Sequence, residues 1–179
     1  MSDDWKLLNT STASGASSVE FTGLTGYKIF KFVFIDVNPV TDNSNFTFQV
    51  NASGQTGYNE TITSTYFSAI HFEDDSYNAL AYDTGRDQAQ GTSYQPLFGG
   101  VGNGADESGS GEMLLFNPAS TTYVKHFYCT AQYYNGSNAS DNAYAAGYIN
   151  VAAAITGIDF KMSSGNLDAV IKQYGLVAS

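Results

Sequence analysis

Cysteine occurs once in this sequence, at Cys129, so no disulfide can close within the chain and the fold must be held by packing. A lone thiol suits a reducing compartment better than a secreted, cross-linked scaffold. Positive charge is also scarce. Seven Lys plus Arg stand against 17 Asp plus Glu, and the formal net charge of -10 repels a phosphate backbone, so no nucleic-acid partner is expected. No run of about 18 uninterrupted apolar residues is present, the nearest stretch, Ala143 to Ile158, being broken by Gly147, Asn150 and Thr156, so no membrane span is expected. Met1-Ser2-Asp3-Asp4-Trp5-Lys6 is acidic and lacks the apolar segment of a secretory leader.

What fills the chain is strand chemistry. Aromatic residues make up 15% (13 Tyr, 12 Phe, one Trp), charged residues only 13%, and 18 Gly with many Ser, Thr and Asn punctuate the apolar runs. That combination predicts an all-β fold, an antiparallel β-sandwich of about ten strands in a single domain over residues 1–179. At this length a core can form without a metal or disulfide.

The clearest strand is Tyr27 to Asn38. Tyr27, Ile29, Val33, Ile35 and Val37 line one face, with Lys31 among them, while Phe30, Phe32 and Phe34 line the other. An antiparallel strand usually turns one face to water, so a strand apolar on both faces needs a second cover, from the fold itself or from another subunit. Phe30, Phe32 and Phe34 are therefore the candidate interface. Trp5 to Leu8, Val19 to Thr22, Asn45 to Asn51, Thr61 to Phe72, Ala79 to Tyr82, Tyr94 to Phe98, Glu112 to Phe116, Thr122 to Tyr134 and Tyr144 to Ala153 read as further strands, and Asn9 to Ser17 as loop or edge. The glycine-rich run Gly99 to Gly111 predicts an exposed, mobile loop.

Chemistry-bearing residues form no recognised constellation, and neither a catalytic residue, a metal site nor a cofactor is expected. His71 shares a strand face with Glu73 beside Asp74 and Asp75, which reads as a strand end running into a solvated acidic turn. Calcium on Asp74 and Asp75, or on Asp83 and Asp87, lacks the spacing of a known loop. His126 and Cys129 are three apart on a strand, so they diverge and cannot act as base and nucleophile. Tyr82, Tyr94, Tyr144, Tyr148 and the pair Tyr133 and Tyr134 lie near polar loops, where rings can stack on sugars. Tyr133 and Tyr134 are the candidate glycan contacts. Six Asn-x-Ser/Thr sequons, starting at Asn9, Asn45, Asn51, Asn59, Asn135 and Asn138, read as by-products of an Asn- and Ser-rich surface.

The C-terminal segment is the most distinctive. Ile158-Asp159-Phe160-Lys161-Met162 and Ala169-Val170-Ile171-Lys172-Gln173-Tyr174-Gly175 alternate in polarity on either side of Ser163-Ser164-Gly165-Asn166, which predicts a closing β-hairpin. This segment resembles the C-terminal hairpin of a family of bacteriophage virion structural proteins, many from marine phages. The first fifty residues are similar to the same family through Trp5-Lys6-Leu7-Leu8, Val19-Glu20-Phe21-Thr22, Phe30-Lys31-Phe32-Val33-Phe34, Asn38-Pro39 and Asn45-Phe46-Thr47-Phe48-Gln49-Val50. The resemblance implies a jelly-roll β-sandwich with no active site, located in the virion as a structural, decoration or tail-fibre component. Together with the two-faced apolar strand it points to a non-enzymatic capsid decoration or cement protein. Its expected partners are copies of itself, as a homotrimer or similar ring, and other virion proteins such as the major capsid protein. A tail-fibre module that binds a host surface glycan is the alternative.

Overall fold

The computed structural model describes residues 4–176, so Met1 to Asp3 of the acidic N-terminus lie outside the described residues. Twelve strands follow in chain order: β1 (Trp5–Ala16), β2 (Val19–Thr22), β3 (Ile29–Pro39), β4 (Ser44–Ala52), β5 (Ile62–Phe72), β6 (Asn78–Tyr82), β7 (Gln95–Val101), β8 (Gly109–Phe116), β9 (Lys125–Asn135), β10 (Ala139–Ile149), β11 (Ile155–Met162) and β12 (Leu167–Leu176). All pairings are antiparallel. The strands form a nearly closed, barrel-like sheet in the order β1-β12-β3-β8-β9-β7-β4-β11-β2, whose ends β1 and β2 touch without a ladder between them. Closure is thin on the other side too, where β7 joins β9 only through Val101 and Asn135. From β9 the sheet also continues outward through β10 and β5 to β6. Among the described residues no helix is long and apolar enough to cross a membrane.

The curl brings β2, β11, β4 and β7 over the inner face of β3, β8 and β9, and phenylalanine fills the space between. Phe160 on β11 lies 5.2 Å, centroid to centroid, from both Phe32 and Phe34 of β3, with Phe21 and Phe46 close by. Phe48 of β4 meets Phe127 of β9 edge-on at 4.9 Å. Edge-to-face contacts of this kind add to the burial of large apolar area.

This core corrects the expected interface. Phe30, Phe32 and Phe34 are 0, 0 and 1% exposed, covered by the fold itself, so they offer nothing to a second subunit. The second apolar face of β3 is only half-buried, and its phase breaks at Asp36, whose φ of 51° places a β-bulge between Ile35 and Val37. Val37 is thereby turned into the core with the phenylalanines instead of lying with Ile35.

Two further expectations change. The C-terminal strands do not form a hairpin: β11 pairs with β4 and β2, β12 with β1 and β3, and Ser163 to Asn166 carries the chain from one side of the barrel to the other. Gly165 takes the left-handed backbone (φ 73°), and Ser44 Oγ bonds Ser164 through both its carbonyl and its N–H at 3.1 Å. Nor is Gly99 to Gly111 a loop throughout. Gly99, Gly100 and Val101 are buried in β7, and Gly109 and Gly111 belong to β8. Glycine is needed at Gly111 for room, because a Cβ there would lie 2.4 Å from the Thr130 carbonyl oxygen. The β9–β10 hairpin turns through Gly136 to Asn138, with Asn135 Oδ1 accepting from the N–H groups of Ser137 and Ala139.

Candidate functional site

Alternation on β5, β6, β9 and β10 sends one set of side chains inward and the other to the open outer face of the extension. Outward go Phe67 (41% exposed), Leu80 (74%), Tyr82 (52%), Tyr128 (44%) and Tyr144 (40%). They are neighbours by register: Tyr144 pairs with Phe67 and Phe67 with Tyr82, while Ala146 pairs with Tyr128. The Phe67 and Tyr144 rings stack at 4.8 Å and 8°, and Phe116 of β8 packs beside Tyr128 at 5.8 Å. Exposed apolar faces recur at protein–protein and ligand contacts.

Within this face a shallow groove of about 440 Å³ runs between Phe116, His126, Tyr128, Tyr148, Thr63 and Thr65. It offers aromatic rings, an imidazole and two hydroxyls. Cys129 lies on the opposite face of β9, 2% exposed, with burial raising its thiol pKa.

The tyrosines expected to touch a glycan separate. Tyr133 is buried, stacked on Phe98 at 5.6 Å, which corrects its assignment as a glycan contact. Inward direction follows from strand parity: Tyr133 falls in the same phase as Phe127, Cys129 and Ala131, whereas Tyr134 is half-buried on the outer side, in a separate recess with Gln132, Ser140 and Glu73. Tyr94 is half-buried and donates to Asp159 Oδ2 at 2.9 Å.

The acidic residues are engaged locally. His71 Nε2 and Asp75 Oδ1 pair at 3.0 Å in an exposed turn, Asp83 pairs with Arg86, and Asp87 accepts from Tyr82 Oη at 2.5 Å. Among the described residues no group of three His, Cys, Asp or Glu side chains is placed to hold a metal ion.

Beneath the extension lies a polar cluster that alternation alone does not reveal. Tyr66 of β5, Tyr133 of β9 and Asp141 of β10 face inward together, with the Arg86 guanidinium 5.7 Å from the Tyr66 ring. Neither Tyr66 Oη, Tyr133 Oη nor Asp141 Oδ1 meets a partner at hydrogen-bond geometry. Burial raises the Tyr66 pKa to about 12 and pushes that of the Asp141 carboxyl above its ordinary range, with the Arg86 charge pulling the other way. A carboxyl whose folded-state pKa is raised binds its proton more tightly folded than unfolded, so its stabilising contribution is present at low pH and is lost as pH rises from the unfolded value through the folded one. At neutral pH Asp141 is thus a net cost. Asp141→Asn is expected to raise the melting temperature at pH 7, with the gain shrinking as pH falls towards 4, checked by thermal melts of both proteins across that range.

No protein-family model, curated protein or solved structure matches this chain.

Proposed function

We propose that this chain is a non-enzymatic structural protein of a bacteriophage particle, a decoration or cement protein that adheres to the shell, folded as a jelly roll. The observation that carries the reading is the exposed outer face of Phe67, Leu80, Tyr82, Tyr128 and Tyr144 on a sheet whose inner side joins the core through Tyr66, Phe127, Cys129, Ala143 and Ala145. Adhesion needs such a face and nothing more, because many copies each burying modest apolar area at about 25 cal/mol per Å² sum to a large stabilisation of a shell. The jelly-roll reading draws its support from strand order: β1-β12-β3-β8 lies across from β2-β11-β4-β7, with the hairpins β5–β6 and β9–β10 added at one side. The sequence resemblance at both ends of the chain supports the virion.

Purified protein should therefore co-sediment with phage heads lacking it. A double substitution, Tyr128→Thr with Tyr144→Thr, which removes both rings and keeps good strand formers, should weaken that binding at least about tenfold with the β-sheet retained by circular dichroism. Heads that sediment without the protein would refute the reading.

The groove between Tyr128, Tyr148 and His126 favours a second reading, a tail-fibre module that binds a host surface glycan. Specific binding on a glycan array, lost on Tyr148→Ala and unchanged by calcium, would select it over decoration.

A further inference from the structure

We infer that β6 is a docking edge for a second copy of this chain, the two β6 strands pairing antiparallel about a two-fold axis at Leu80. Strand β6 is the outermost strand of the extension and pairs with β5 alone. Phe72 N–H donates to the Tyr77 carbonyl and Asp83 N–H to the Tyr66 carbonyl, each at 2.9 Å, which fixes the phase of the ladder. By that phase Ala79 and Ala81 direct their backbone groups to β5. Asn78, Leu80 and Tyr82 direct theirs to the open edge.

Proteins ordinarily guard such an edge with charge, proline, a bulge or a cover. The sequence Asn78-Ala79-Leu80-Ala81-Tyr82 has no charge and no proline, its register with β5 is unbroken, and four of its five residues are exposed. The other edges differ. Strand β1 carries two register shifts and Lys6, β2 carries Glu20, and β7 is buried. The unguarded edge is thus a local property of β6.

An extended backbone matches the spacing of a row of alternate N–H and C=O groups along its whole length, which favours a strand over a sugar or a lipid. Self-complementarity selects a second copy. With Leu80 opposite the second copy's Leu80, Asn78 falls opposite Tyr82 and all the outward-facing residues meet in hydrogen-bonding phase. The same register sets Leu80 beside its equivalent on the outer face, next to Ala69 on each side, so the most exposed apolar side chain of that face is covered. A five-residue edge buries less than the roughly 1,200 Å² of a standard interface, so the dimer is a weak one, with dissociation constants in the micromolar range or above. The acidic chain adds long-range repulsion, which salt screens. This inference deepens the proposed structural role by naming how copies meet, and it is tested on the purified chain without any particle.

Sedimentation equilibrium from about 10 μM to about 1 mM should give a dimer whose population rises with concentration and with salt. Hydrogen exchange followed over the same range should protect the amides of Leu80 and Tyr82 as dimer forms, while those of Ala79 and Ala81 are protected throughout. Leu80→Lys, which places a charge at the axis, should weaken association at least about tenfold. Asn78→Pro, which removes one outward donor and keeps the Leu80 side chain, should also weaken it with the melting temperature retained. A chain monomeric at every concentration, or variants that associate like the parent, would overturn the inference. A dimer that forms but does not bind phage heads would instead remove the particle reading and leave the edge pairing intact.

Discussion

Phe160→Ala is expected to destabilise the protein by about 3–5 kcal/mol, lowering its melting temperature on the order of 10 °C. The magnitude follows from where the ring sits. Phe160 is fully buried on β11 and lies within 6.5 Å, centroid to centroid, of Phe21, Phe32, Phe34, Phe46 and Phe48, drawn from β2, β3 and β4. Its removal leaves a cavity walled by five rings held on different strands, which cannot all move inward together. Chemical denaturation of both proteins checks the figure. A loss below about 1 kcal/mol would mean that the two sides of the barrel are not held apart by this cluster.

Lys125→Met is expected to cost about 3 kcal/mol despite a similar side-chain volume. The ammonium is buried at the start of β9 and donates to three successive carbonyls, Val151 at 3.0 Å, Ala152 at 2.9 Å and Ala153 at 2.6 Å. Burial lowers the lysine pKa while Glu60 acts in the opposite sense. Methionine would fill the space and leave the three acceptors unpaired in the link between β10 and β11. Denaturation measures the cost. Amide exchange at Val151 to Ala154 should accelerate more than exchange in β3, which separates loss of this clamp from general weakening.

Strand existence was legible because a two-residue period is written directly in side-chain polarity. The runs at Thr61 to Phe72 and Asn45 to Asn51 lie within a residue or two of β5 and β4. Which strand pairs with which is not carried by that period. Alternation on both sides of Ser163 to Asn166 looks the same for a hairpin as for a crossing between sides of a barrel, and here long-range pairing with β4 and β3 decides. Glycine carries two opposite meanings. In Gly102 to Ser108 it marks a loop, whereas at Gly109 and Gly111 it marks backbone packed too closely for a side chain.

The candidate site was partly legible for the same reason. Phe30, Phe32 and Phe34 stand out as an apolar stripe, but a stripe does not say whether the fold or a partner covers it. The exposed face is instead built from residues on four strands, Phe67, Leu80, Tyr128 and Tyr144, which are far apart in sequence and adjacent only through register. Nothing in the polarity period singles out Lys125, and only the path of Val151 to Ala153 reveals its role.

The most direct test of the account is to locate this chain in a density map of the intact phage particle. The account predicts copies bound to the shell with Phe67, Tyr128 and Tyr144 covered at the contact and the β11 side turned away. A particle that lacks the chain, or one in which that aromatic face lies bare while another surface makes the attachment, would contradict it.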